Sequence, residues 1–182
     1  MPRAVHIQQM TTWIALLRAV NVGGTGKIAM TDLKAICEAA DCRAVRTYIA
    51  SGNVVFESRR SEKAIQKALQ EGLLAHAGKP IGVVVRSAEE MAGVLARNPF
   101  PERPGNHTVA IFLDAPPPPG ALANVTGRVD EEMELGQRKI YVSYGPNMGR
   151  SKLKIPAAKS GTARNMNTVA KLASMGSEAA KK

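Results

Sequence analysis

The order of the expected elements points to an α+β protein made of two βαββαβ units, the second of them degenerate. Three observations carry that reading. Apolar periodicity in the first half runs strand, helix, strand, strand, helix, strand. Glycine, proline and capping residues punctuate each change of period. The second half repeats a strand–hairpin rhythm less completely. The 182 residues suffice for two small units, and 45% hydrophobic with 22% charged residues is ordinary globular composition. No stretch approaches the roughly 20 apolar residues that a membrane helix needs.

Trp13 to Val20 is a nearly continuous apolar run, interrupted by Arg18, and reads as a central strand. Thr31 is placed to cap a helix whose apolar positions Leu33, Ile36, Cys37 and Ala40 follow helical spacing. Val45 to Ala50 and Asn53 to Glu57 are strands joined across Ser51-Gly52. Ser61 opens a second helix with Ile65, Ala68, Leu69 and Leu73 on one face, and Gly78-Lys79-Pro80 ends it. Ile81 to Arg86 is the fourth strand. This order is the split βαβ, or ferredoxin-like, unit.

In the second half, Ser87-Ala88-Glu89-Glu90 is a capping box ahead of a helix lined by Met91, Val94 and Leu95. Thr108 to Leu113 reads as a strand and Pro116 to Pro119 as a stiff connector. A hairpin is expected from Glu131–Leu135 and Lys139–Tyr144. Helices are expected over Ser151–Lys159, where Pro156 sets a limit, and over Asn167–Met175. The expected organisation is a first unit over 10–86, a second over 87–175 and a tail over 176–182.

The net charge of +10 is unevenly placed. Up to Gln137, fifteen Lys and Arg meet fourteen Asp and Glu; from Arg138 onward, ten basic residues face only Glu178. Such a block favours an anionic partner, although a solvated, soluble face has the same composition. Met1 to Thr11 lacks the apolar core of a secretory signal. Cys37 and Cys42 make neither a disulfide framework nor a metal spacing, and a reducing cytoplasm is the expected compartment.

The glycine-rich turn Asn21–Lys27 nearly spells a phosphate-binding P-loop, which requires G-x-x-x-x-G-K-[ST]. Asn21 stands where the first glycine belongs, and Ile28 replaces the hydroxyl that would hold Mg²⁺. Helical periodicity resumes only at Thr31, so an ATPase reading is rejected. No metal or cofactor is called for.

Four segments together resemble the domain of unknown function 1697 family, a set of mainly bacterial proteins. They are LLRAVNVGGTGKIAMTDL (Leu16–Leu33), VRTYIASGNVVFES (Val45–Ser58), MGRSKL (Met148–Leu153) and TARNMNTVAKL (Thr162–Leu172). The resemblance spans roughly Met10 to Met175 and implies a pair of ferredoxin-like subdomains; Met10 is similar to the usual family start, which implies an extension over 1–9, and the resemblance supplies no activity. The chain departs from the family pattern at Ala50, where glutamine often stands, and at Met166, where an aromatic is common.

The polar residues of these motifs are the candidate ligand- or anion-binding set. Arg18, Asn21, Gly23, Gly24 and Lys27 follow the first strand, and Ser51 and Asn53 flank Gly52 in the hairpin turn. Arg150, Ser151 and Lys152 precede one expected helix; Arg164, Asn165 and Asn167 precede another. The first strand's exit and the hairpin are expected at opposite ends of neighbouring strands. The two basic segments then form the better pair, with helix N-terminal amides at Ser151 and Asn167 beside Arg150 and Arg164. Each residue also has a structural reading: glycines for positive φ, Ser-Gly-Asn for a tight turn, asparagines as helix caps.

Catalytic constellations are not marked. His6, His76 and His107 fall outside the motifs, and Cys37 belongs to a helix's apolar face. Asp130, Glu131, Glu132 and Glu134 form an acidic cluster that reads as a solvated strand edge. The third strand, NVVFES, does not match the aromatic pattern of an RNA-recognition motif, and 4% aromatic residues is poor for stacking bases. The leading expectation is a binding protein for a phosphorylated small molecule or a nucleic-acid backbone, without a membrane role. The alternatives are an enzyme acting on a small phosphorylated or carboxylated substrate, and a structural or partner-docking protein.

Overall fold

A computed structural model describes residues 8–18, 27–48, 52–179 and 181. The chain divides into two compact units: the first runs to Ala88 and takes in the chain from Met175, and the second is Glu89–Ser174. Among the described residues there are four helices and two four-stranded antiparallel sheets.

The first unit contains β1 (Thr11–Leu17), α1 (Met30–Ala39), β2 (Arg43–Tyr48), β3 (Asn53–Ser58), α2 (Glu62–Ala77) and β4 (Val83–Ser87). Its sheet order is β2-β3-β1-β4, the ferredoxin-like arrangement. Strand alternation turns Ala15, Leu17, Val54, Phe56, Val83 and Val85 to one face. There they meet Leu33 and Cys37 of α1 and Ile65, Leu69 and Leu73 of α2. Burying side chains of this size contributes about 1.5–3 kcal/mol each, and this cluster is the unit's main core.

The ends of α2 follow their sequence signals. The Ser61 hydroxyl accepts from the Ala64 amide, and Gly78, at φ 71°, turns the chain in the left-handed region. The expected Thr31 cap is not formed. Helix α1 starts two residues earlier than such a cap would set, after an extended Ala29, and Thr31 lies in its first turn.

The second unit begins with α3 (Ala88–Ala96, essentially within it) and continues through β5 (Thr108–Phe112), β6 (Glu132–Gly136), β7 (Lys139–Ser143) and β8 (Thr162–Asn165) to α4 (Met166–Ala179). Its sheet order, β6-β7-β5-β8, repeats that of the first sheet strand for strand. The degeneracy lies in the crossovers. Residues 113–131 replace the first crossover helix and residues 144–161 the second. These segments contain only 3₁₀ turns, at Met148–Arg150 and Pro156–Ala158.

Two expectations therefore change. No helix covers Ser151–Lys159: Ser151 is extended, and Lys154 exchanges backbone hydrogen bonds of 3.1 and 2.8 Å with Thr126. Pro156 lacks an amide and pushes Ile155 to extended backbone, which limits helix to one tight turn. Leu95 does not join Met91 and Val94 in the core but stays exposed. The TARN segment forms a strand that hydrophobic alternation does not mark, because Thr162 and Arg164 are its buried positions while Ala163 is exposed.

Leu69 lies wholly within the first core and Leu74 of the same helix is 46% exposed. Leu69→Ala is expected to cost about 2–5 kcal/mol. Leu74→Ala should stay within about 0.5 kcal/mol. Urea unfolding midpoints check both.

Candidate functional site

Sheet register decides which motif residues meet. In the first sheet Leu16 pairs with Asn53 and Leu17 with Val83. The Leu17 amide donates to the Gly52 carbonyl and the Arg18 amide to the Gly82 carbonyl, both at 2.8 Å. The exit of β1, the β2–β3 turn and the entry of β4 therefore share one end of the sheet. This corrects the expectation of opposite ends. In a βαββαβ unit α1 carries the chain back, so β2 runs beside β1's direction and its hairpin returns to β1's exit.

At that end Arg18 is an exposed cation, and Lys27, ahead of α1, is exposed as well. Gly52 takes φ 79°, which favours glycine, and Asn53 is fully buried with its carboxamide donating to the Tyr48 carbonyl at 3.0 Å. Asn53 thus braces the turn from within. Asn21, Gly23, Gly24 and Ser51 lie outside the described residues.

In the second unit the two basic segments separate. Arg164 pairs with Ala110 and shares that face with Tyr141, whereas residues 148–158 pack on the opposite face, against Ile111 and Val142. Adjacent residues of a strand point to opposite faces, so Arg164 and Arg150 do not converge. Arg164 is buried, donating to Thr162 Oγ1 at 2.7 Å and the Ala163 carbonyl at 2.9 Å. Burial pushes its guanidinium down to about 10, still charged at neutral pH.

Asn165 caps α4, its Oδ1 accepting from the Thr168 amide at 2.9 Å. Asn167 sits exposed in the first turn of α4, its carboxamide filling the space left by Gly105. Met166, at a position often aromatic in the family, is buried.

Arg150, Ser151 and Lys152 instead line a cleft of about 520 Å³ with Arg128, Glu131 and Asn147. The cleft is built by one hydrogen-bonded pin. The Ser151 hydroxyl donates to Glu131 Oε1, and the Val129 amide donates to Glu131 Oε2 at 2.7 Å. Arg128 Nε holds the Glu131 carbonyl at 2.7 Å, and the Ser151 oxygen accepts from the Leu153 amide at 3.2 Å. Gly127, at φ 69°, lies so close to the Lys152 carbonyl that a Cβ has no room. The charged lining is three cations, Arg128, Arg150 and Lys152, against Asp130 and Glu131, and the Glu131 carboxylate is already engaged.

Glu131 is thus a buried anchor and not a solvated strand edge. Among the acidic cluster, Glu132 does face outward and pairs with Arg103 at 2.8 Å. Sequence reasoning missed Gly127, Arg128 and Asn147. The Gly-Arg step just before β6 was a usable signal, since a glycine there permits the close approach.

The family's sequence model, described as protein of unknown function (DUF1697), matches residues 10–141. The chain belongs to the DUF1697 family. Both central strands fall inside that match, whereas MGRSKL and TARNMNTVAKL lie outside it. A solved structure with the same fold is a conserved bacterial protein, SP0830, from Streptococcus pneumoniae. It is 23% identical with a TM-score of 0.76, and the alignment covers 92% of this chain and 99% of that one. The comparison with curated proteins found no match.

Cys37 and Cys42 are free, and burial pushes their thiols up to about 12 and about 11, which removes thiolate character at neutral pH. A concavity of about 630 Å³ is lined by residues of α1 and α2 and contains none of the candidate residues. His76 stands there 3.8 Å from Asp32. Among the described residues no three His, Cys, Asp or Glu side chains gather to hold a metal, and no helix is long and apolar enough to cross a membrane.

The hydrogen bonds from Ser151 and then from the Val129 amide hold the Glu131 carboxyl below its ordinary value. A carboxyl depressed by folding stabilises the protein above its unfolded value, about 4.3, and this contribution is lost as pH falls through the lower folded value. Glu131→Gln should therefore be less stable than wild type at pH 7, with the gap closing below about pH 4. Urea midpoints at both pH values test this; a constant gap contradicts it.

Proposed function

We propose that this protein binds a phosphorylated small molecule in the cleft between residues 127–131 and 147–152. The supporting observation is the gathering of Arg128, Arg150 and Lys152 around one concavity whose buried carboxylate is satisfied internally. About 520 Å³ falls within the range of small-molecule sites. Guanidinium groups suit phosphate because their fixed donors match its oxygens. Asp130 and Asn147 in the same lining offer acceptors for ligand hydroxyls.

A nucleic-acid backbone is the second reading, favoured by the excess of basic residues after Gln137. Arg18, at the shared end of the first sheet, and Lys27 form a separate candidate for an anion. The two sites make different demands on variants, so one experiment separates them.

The test is a thermal-shift and calorimetric panel of inorganic phosphate, nucleotides, sugar phosphates and short oligonucleotides at low and moderate salt. A ligand at one hundred times its Kd stabilises the fold by about 2.7 kcal/mol. The cleft reading predicts a shift from a small phosphorylated compound that survives moderate salt, is lost in Arg150→Ala/Lys152→Ala and persists in Arg18→Ala/Lys27→Ala. The reverse pattern moves the site to the first sheet. A shift from oligonucleotides alone, vanishing with salt, selects the backbone reading.

A further inference from the structure

The second unit has another cleft, on the sheet face that carries Ile111 and Val142. In the first unit two helices seal the corresponding face. Here it is covered by residues 144–159, whose Tyr144, Met148, Leu153 and Ile155 are only partly buried against the core. Extended and 3₁₀ backbone leaves gaps between apolar side chains that a continuous helix would close.

The resulting cleft, about 430 Å³, is walled by Ile111, Leu153 and Ile155, with Tyr144, Lys154 and Lys159 supplying its polar groups. It is distinct from the cleft around Arg150, with which it shares no residue. Along this extended backbone Leu153 and Ile155 turn toward the core, while Lys154 stays exposed. Lys154 is fixed at the rim by its two backbone bonds to Thr126. An apolar wall with basic groups at its edge is complementary to a molecule with an apolar body and one anionic head.

We propose that this cleft binds a small amphiphilic organic anion of the medium-chain carboxylate class. The chain lies on Ile111, Leu153 and Ile155, and the carboxylate meets Lys154. Each methylene buried on the wall contributes roughly fourfold in affinity, so chain length is the main determinant. The lysine contribution is smaller, because an exposed ion pair changes affinity by roughly two- to fivefold.

The experiment is a methyl-detected NMR and calorimetric titration of the full chain with octanoate, butyrate, 1-octanol and inorganic phosphate. Octanoate is expected to shift the methyls of Ile111, Leu153 and Ile155 and to bind more tightly than butyrate. Lys154→Ala should weaken octanoate roughly two- to fivefold and leave octanol unchanged. Ala158→Phe, which fills the cleft from its wall, should abolish binding while the melting transition stays cooperative. If that variant fails to fold, Lys154→Ala alone carries the test. Arg150→Ala/Lys152→Ala should leave octanoate binding intact, which separates this site from the phosphate site.

Several results overturn the proposal: no octanoate binding, unchanged binding in a folded Ala158→Phe variant, or equal effects of Lys154→Ala on octanoate and octanol. Saturation of the same methyls by inorganic phosphate does so as well. Methyl shifts that depend on protein concentration without added ligand assign the cleft to a second copy of the chain and also overturn it.

Discussion

Antiparallel pairing of β1 and β5, each held between two partner strands, is the constraint on which the other features depend. Once β1 lies between β3 and β4, its exit must sit beside the β2–β3 turn and the start of β4. Once β5 lies between β7 and β8, the parity of each β8 residue decides which face it serves. A slip of one residue would exchange the faces of every side chain on the strand. Register, more than proximity in sequence, thus determines which motif residues act together.

The two units show one strand plan completed in two ways. Helices α1 and α2 seal the first sheet with a well-buried apolar cluster. The second sheet is closed by irregular chain, which has no repeating backbone hydrogen bonds and must be fixed by particular contacts. The Ser151–Glu131–Val129 bonds and the Thr126–Lys154 pairing do that work. The same economy of regular structure produces both clefts of the unit. Irregular cover makes concavities, and the pins that stabilise it decide which charged side chains surround them.

Much of this was legible in the sequence. The first unit was readable because its elements follow the rules that periodicity detects: alternating apolar strands, an amphipathic α2, a serine cap and a left-handed glycine. The strand order of the second unit also agrees with the element order of the chain. Its cover was less legible, because SKLKIPAAK has helical composition and only Pro156 argues against a helix. The TARN strand escaped notice because its buried positions are Thr162 and Arg164. Among candidate residues, Arg150, Ser151 and Lys152 stand in one motif and line one cleft. The motif could not reveal Arg128, some twenty residues earlier in the chain, because that contact depends on the left-handed turn at Gly127 and on the buried Glu131. The hydrogen bonds of Asn53 and Asn165 serve a turn and a helix cap, the structural reading that their residue types also allowed.

The separation of Arg164 from Arg150 rests on the β5–β8 register, and cross-strand nuclear Overhauser effects measure that register directly. The account predicts contacts that pair Ala110 with Arg164 and Ile111 with Ala163. Contacts pairing Ile111 with Arg164 would place that arginine on the face covered by residues 148–158, and the assignment of the two basic segments to separate roles would be contradicted.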